Sequence, residues 1–210
     1  LGWSAQPAAL PGNGAFLSFR NKYLNITNLS SGVSIDSITW HWLDTELPGF
    51  TESRLGLWKY RNGVWSPVSS TPGTHSLSVS NLNPFSVFAI LQDNSCPAPI
   101  ASSYTMNGNF VGAPNSASPL SDTVCVKIIA SNVVFDCNGF NITNNGTGGV
   151  TYGVLLNGSL SNVTVRNCPG ISGYRSGVYV YNSNNNYFRN ITVYNVSTGF
   201  GNFKLNGTSG

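Results

Sequence analysis

Charge is the scarcest property of this sequence: Asp, Glu, Lys and Arg make up 8% of its 210 residues, against about a quarter in an average soluble domain. Gly, Asn, Ser and Thr fill the gap, so the surface is polar without being ionic. A cytosolic enzyme normally stays soluble on Lys and Glu, whereas this balance is ordinary for an exported or glycan-coated protein. The ten basic residues, which leave a net charge of +3, are spread thinly. No run of Lys or Arg could follow a phosphate backbone, which sets nucleic acid aside as a partner. No stretch approaches the ~18 apolar residues that cross a bilayer, so no membrane span is expected in this chain. Nothing at the start reads as a charged segment followed by an apolar core. The chain opens at Leu1 without Met and is read as a mature form whose leader was removed or never included. Helical periodicity is missing too, because every window is cut by Gly, Pro, Asn or Ser.

What remains is β-structure. Ser37 to Trp42 is a β run rich in aromatic residues. Leu55 to Tyr60 and Val64 to Val68 flank Asn62-Gly63, a pair that accepts the positive φ of a type I′ turn, so the segment predicts a hairpin. Thr74 to Val79 and Phe85 to Leu91 add two more strands. About seven short strands in the first 95 residues predict a β-sandwich. The strand pattern stops at Asn94 to Ala101 (NSCPAPIA), where two prolines restrict the chain. This places a sandwich at 1–95, a linker at 96–101 and a second domain at 102–210.

Leu57 to Val68 (LWKYRNGVWSPV) with Asn83 to Leu91 (NPFSVFAIL) resembles the small β-sandwich module of archaeal and some bacterial surface-layer and secreted proteins. There a Y-x-N-G-x-W hairpin precedes a strand like F-S-x-F-A-I. The resemblance implies a spacer or assembly unit without chemistry. It makes Trp58, Trp65, Phe85 and Phe88 core residues; a sugar-stacking aromatic stripe is the alternative.

Beyond Ser102 the sequence repeats itself. Ser131 to Cys137 (SNVVFDC), Ser161 to Cys168 (SNVTVRNC) and Arg189 to Asn195 (RNITVYN) align, and Gly153, Gly177 and Gly201 recur every 24 residues. Units with strands this short cannot bury their own apolar face and must stack, as in a solenoid. Period-2 alternation turns Val133, Phe135, Val163, Val165, Ile191 and Val193 inward, and Thr164 and Arg166 outward. Asn132, Asn162 and Asn190 fall at equivalent corners, where Asn tolerates left-handed backbone and forms a hydrogen-bonded ladder.

Val124 to Asn141 (VCVKIIASNVVFDCNGFN), with the repeats that follow, resembles the right-handed parallel β-helix of the NosD-like, carbohydrate-binding and sugar-hydrolase group, above all its archaeal surface-protein branch. The resemblance implies a β-helix of three to four coils over about 105 residues and no particular activity.

The chemistry-bearing residues are few. Sugar-cleaving β-helices need paired carboxylates, or carboxylate-bound Ca²⁺ with a base. Asp122 and Asp136 are the acidic residues of this half. Asp136 is expected to point outward beside Arg166 and Tyr194 as a surface ion pair, so no catalytic residue is assigned. His41 and His75 read as sandwich histidines that could meet only on adjacent strands, and no metal or cofactor is expected. Cys96, Cys125, Cys137 and Cys168 have no CxxC spacing and predict disulfides. Cys137 and Cys168 follow equivalent strands one coil apart, a separation of about 4.8 Å. That favours Cys137 with Cys168 and Cys96 with Cys125; Cys125 with Cys137, which share the family's opening coil, is the rival. Nine Asn-x-Ser/Thr sequons, at Asn25, Asn28, Asn141, Asn145, Asn157, Asn162, Asn190, Asn195 and Asn206, are candidate N-glycan acceptors.

Together these features predict an all-β, extracellular, cell-surface structural glycoprotein that assembles with itself into a filament or sheath. The expected partners are further copies of the chain, joined head to tail, and covalent N-glycans. In that contact Leu1 to Phe19 of one copy covers the final coil, Gly201 to Gly210, of the next. The alternatives are an adhesin that binds surface glycans along the β-helix face and, third, a polysaccharide-active enzyme.

Overall fold

The computed structural model describes residues 2–27, 35–82, 86–197 and 203–206. Asn28, Phe85 and Gly201 lie outside them, as does the Asn206 side chain. The chain is all-β and divides into two units, Leu1–Asp93 and Asn94–Gly210.

The first unit holds β1 (Gly2–Ser4), β2 (Phe16–Ile26), β3 (Ile35–His41), β4 (Leu55–Arg61), β5 (Val64–Val68), β6 (Thr71–Gly73), β7 (Ser76–Leu82) and β8 (Ser86–Asp93). They form two antiparallel sheets, ordered β1-β2-β8-β4-β5 and β3-β7-β6. The β4–β5 hairpin turns on Asn62 and Gly63, both at positive φ (50° and 85°), as the Asn-Gly pair predicts. Alternation along β8 sends Phe88 and Ile90 into a core shared with Trp42, Leu77 and Val79 of the three-stranded side. Ala89 and Leu91 turn to the opposite face, against Tyr23 and Trp65.

The eleven-residue β2 is absent from the sequence-level strands because its alternation breaks midway. Arg20 and Asn21 both take left-handed backbone (φ 54° and 52°), and the pairing with β8 shifts register between Ser18 and Tyr23. The irregularity resets the pleat, so Phe19 and Ile26 still reach the shared core.

The second unit runs through β9 (Tyr104–Thr105), β10 (Phe110–Val111), β11 (Asn115–Ser116), β12 (Thr123–Ile128), β13 (Val134–Asp136), β14 (Ile142–Thr143), β15 (Thr151–Asn157), β16 (Thr164–Ser172), β17 (Ser176–Tyr181), β18 (Tyr187–Tyr194) and β19 (Phe203–Asn206). Among the described residues only β11 with β12 is antiparallel; every other named pair is parallel. One row stacks β12, β15, β17 and β19. A second, curled sheet uses the length of β16: its start pairs with β13 and its end with β14, across a register shift between Cys168 and Ile171.

Between the rows lies one apolar core, in which Val126, Phe135, Val154, Val165, Ile171 and Val178 are all fully buried. Each such side chain contributes about 1.5–3 kcal/mol. The rows approach closely because Gly153 and Gly177 face the opposite wall: a Cβ on Gly153 would strike Ile171, and one on Gly177 would strike Val193. Corners between strands fall on Asn at positive φ, including Asn132, Asn138, Asn162 and Asn185, and Asn167 and Asn190 take the same backbone within β16 and β18.

The segment 96–101, expected as a linker, belongs to this unit. Ser95 bridges to Val111 and Ile100 to Ile128, and Ile100 is buried.

Candidate functional site

The four cysteines are all consumed. Cys96 bonds Cys125 with Cα atoms 5.1 Å apart, and Cys137 bonds Cys168 at 4.9 Å. The second pair closes directly across two stacked levels, since Asp136 pairs in register with Arg166.

Asparagine ladders form in two columns. Asn162 Nδ2 donates to Asn132 Oδ1 at 3.2 Å, and the Asn162 backbone N–H donates to the Asn185 carbonyl. Asn190 does not join this column. Its Nδ2 donates to Asn167 Oδ1 at 3.2 Å, because β16 spaces its partners unevenly: Val134 pairs with Thr164, 30 residues on, but Thr164 pairs with Tyr187, only 23 on. The likeness of NVTV to NITV is therefore out of register. Phe188 takes the level of Val165, while Ile191 and Val193 match Cys168 and Ile171. Matching buried side chains outweighed matching letters.

Of the sequons, Asn141, Asn162, Asn190 and Asn195 are exposed, and Asn25, Asn145 and Asn157 are half-buried. Asn157 Nδ2 is engaged, donating to the Ser118 carbonyl at 2.8 Å. Asn145 Oδ1 accepts from Thr147, the hydroxyl of its own sequon, at 2.7 Å.

Asp136 occupies an outward register position and forms the expected ion pair with Arg166, but it is only 8% exposed, so its side of the pair is buried and not at the surface. Its Oδ2 accepts from Arg166 Nε at 2.8 Å, and its Oδ1 accepts from Asn167 Nδ2 at 3.0 Å and from the Asn138 N–H at 2.8 Å. These bonds, with the Arg166 charge, outweigh burial and hold the carboxyl below its usual range. At the next level stands Arg189, not Tyr194. Two outward columns result: Val134, Thr164 and Tyr187, beside Asp136, Arg166 and Arg189. Val134, Thr164, Tyr187, Arg166 and Arg189 border an open groove of about 320 Å³. Sequence reasoning named Asp136 and Arg166 but missed Arg189 and Tyr187, because the similarity it followed placed β18 half a strand away.

Asp122 accepts from the Tyr152 hydroxyl at 2.6 Å. His41 ends β3 opposite Ser76, and the carbonyl of His75, in the turn just before β7, accepts from the Trp42 N–H. The His75 ring faces Asp44 Oδ1 and Glu52 Oε1, each at 3.0 Å. Phe88 is fully buried and Trp65 is 8% exposed, on opposite faces of one sheet. Within the segment expected to cover another copy, Gly2–Ser4 pairs with its own β2, and Leu10 and Phe16 pack around Tyr23 and Trp65.

Comparison with protein families, with curated proteins and with solved structures gave no match.

At the far level of the parallel rows, β18 pairs only with β16, and β19 only with β17, among the described residues. Tyr194 and Phe203 are exposed there, at 45% and 41%. Phe188, Ile191 and Val193 are only partly covered although they pack on the core.

Proposed function

We propose that this chain is an extracellular structural glycoprotein, an N-terminal β-sandwich joined to a right-handed parallel β-helix, that assembles with copies of itself into a cell-surface filament or sheath. The observation that carries the reading is the edge that β18 and β19 present among the described residues, with its exposed Tyr194 and Phe203 and half-covered Phe188, Ile191 and Val193. A parallel edge with apolar side chains beside it is a template for another strand. A contact between two different surfaces of the same chain repeats instead of closing on itself. The two disulfides fit an oxidising compartment. The exposed sequons supply glycan-bearing sites on a surface with little charge. Asp136, already accepting three hydrogen bonds, favours a structural over a catalytic role.

The test is the size of the native particle. Electron microscopy and sedimentation of the purified full chain should show ordered polymers, and the double variant Tyr194→Lys, Phe203→Lys should stay monomeric with an unchanged melting temperature. Wild-type monomers at every concentration, or polymers in the double variant, refute assembly through this edge. A second reading, a glycan-binding adhesin, is favoured by the groove beside Arg166 and Arg189.

A further inference from the structure

We infer that the groove bordered by Thr164, Arg166, Tyr187 and Arg189 is a binding site for an anionic saccharide, a sugar chain carrying carboxylates. The proposal rests on the glycan-binding reading and not on the assembly reading.

Register puts the backbones of Arg166 and Arg189 on neighbouring parallel strands, about 4.8 Å apart. Stacking two guanidinium groups on one face costs repulsion unless something compensates. Asp136 compensates only one of them. Its contact with Arg166 is through Nε alone, and its other oxygen is occupied by Asn138 and Asn167. Arg166 remains 48% exposed at its side chain, so its terminal nitrogens are presented in a fixed orientation. Among the described residues no carboxylate lies within ion-pair distance of Arg189. The local balance of two arginines against one aspartate is therefore +1, in a chain where charge of either sign is rare.

A carboxylate fits this pair because a guanidinium presents a planar fork of N–H donors that matches two oxygens. The saccharide part follows from the other lining groups. Tyr187 is 53% exposed and offers a flat ring at the same level as Arg189, one residue removed along the outward face. Thr164, one level below Tyr187, adds a hydroxyl that can donate or accept. An open groove along stacked strands suits a linear chain of rings better than a compact ion. An acidic peptide would satisfy the arginines but leave the ring and hydroxyl unused.

The probe is a uronic-acid tetrasaccharide, titrated calorimetrically into the full glycosylated chain at low salt, beside a neutral tetrasaccharide and a tetra-glutamate peptide. The uronate should bind, and Arg189→Gln should weaken it about tenfold. Arg61→Gln, which removes the same charge from the other unit, should leave affinity unchanged. Tyr187→Ala should weaken the uronate several-fold while sparing any peptide binding. Arg189→Lys, which keeps the charge but not the fork, should lie between wild type and Arg189→Gln. Equal affinity in Arg189→Gln and Arg61→Gln overturns the site. Equal binding of the neutral tetrasaccharide overturns the anionic assignment but leaves glycan binding standing. Preference for the peptide overturns the saccharide assignment. No binding of any probe removes both this proposal and the glycan-binding reading.

Discussion

A single carboxylate shows how much one residue organises in a chain with so few charges. Asp136 ties three positions together: the Asn138 turn, the Asn167 amide on β16 and the Arg166 side chain. Burial pushes its carboxyl up from the ordinary value of 3.8, and the three hydrogen bonds with the Arg166 charge bring it below that value. A carboxylate depressed in the folded state adds stability above its unfolded pKa and loses it as pH falls through the lower folded one. Asp136→Asn should therefore cost about 1–3 kcal/mol at neutral pH. The gap from wild type should narrow steadily from about pH 4 downward. Urea denaturation of both proteins across that range measures it, and a gap that stays constant with pH excludes the ionised carboxylate as its cause. Asp136 and Arg166 were legible in the sequence as neighbours, but the closure of the network was not, because it draws on Asn138 and Asn167, whose left-handed backbone brings their N–H groups to the Asp136 carboxylate.

At the scale of the element, glycine decides how closely the rows of the second unit approach. Gly177 on β17 faces Val193 on β18, and Gly153 on β15 faces Ile171 on β16. Neither glycine is at positive φ, so the demand is for space. Gly177→Ala should destabilise by about 1–3 kcal/mol through overpacking. Gly148→Ala, where an added Cβ meets nothing within 4 Å, should change stability by no more than about 0.5 kcal/mol. Thermal melts of the two variants separate steric demand from any general effect of losing a glycine. The recurrence of Gly153 and Gly177 is plain in the sequence. Its cause is not, because the atoms that require it sit on strands 18 and 16 residues further along the chain.

The whole molecule is asymmetric in its chemistry. All five Trp residues lie in the first unit and all four Cys in the second. Tryptophan fluorescence therefore follows one unit, and reduction acts on the other. Each disulfide spans a comparable stretch, 29 and 31 residues, so loop closure contributes about 3–4 kcal/mol apiece. Adding reductant should lower the transition seen in far-ultraviolet circular dichroism while leaving the tryptophan fluorescence transition in place. Fluorescence that moves in step with the dichroism would show that the two units unfold as one.

Sequence by itself determined what depends on local backbone preference and composition: an all-β chain, the Asn-Gly hairpin, corners on Asn, oxidised cysteines and inward Val133, Phe135, Val163 and Val165. Each follows from a rule that acts within a few residues or on the chain as a whole. Register across stacked strands of unequal chain spacing was decided only by tertiary structure. The seven-residue shortening between successive partners of β16 moved Asn190 onto Asn167 and Arg189 onto Arg166. Pairing between stacked strands is chosen by which side chains fill the shared interior, and that volume does not exist until the strands are stacked.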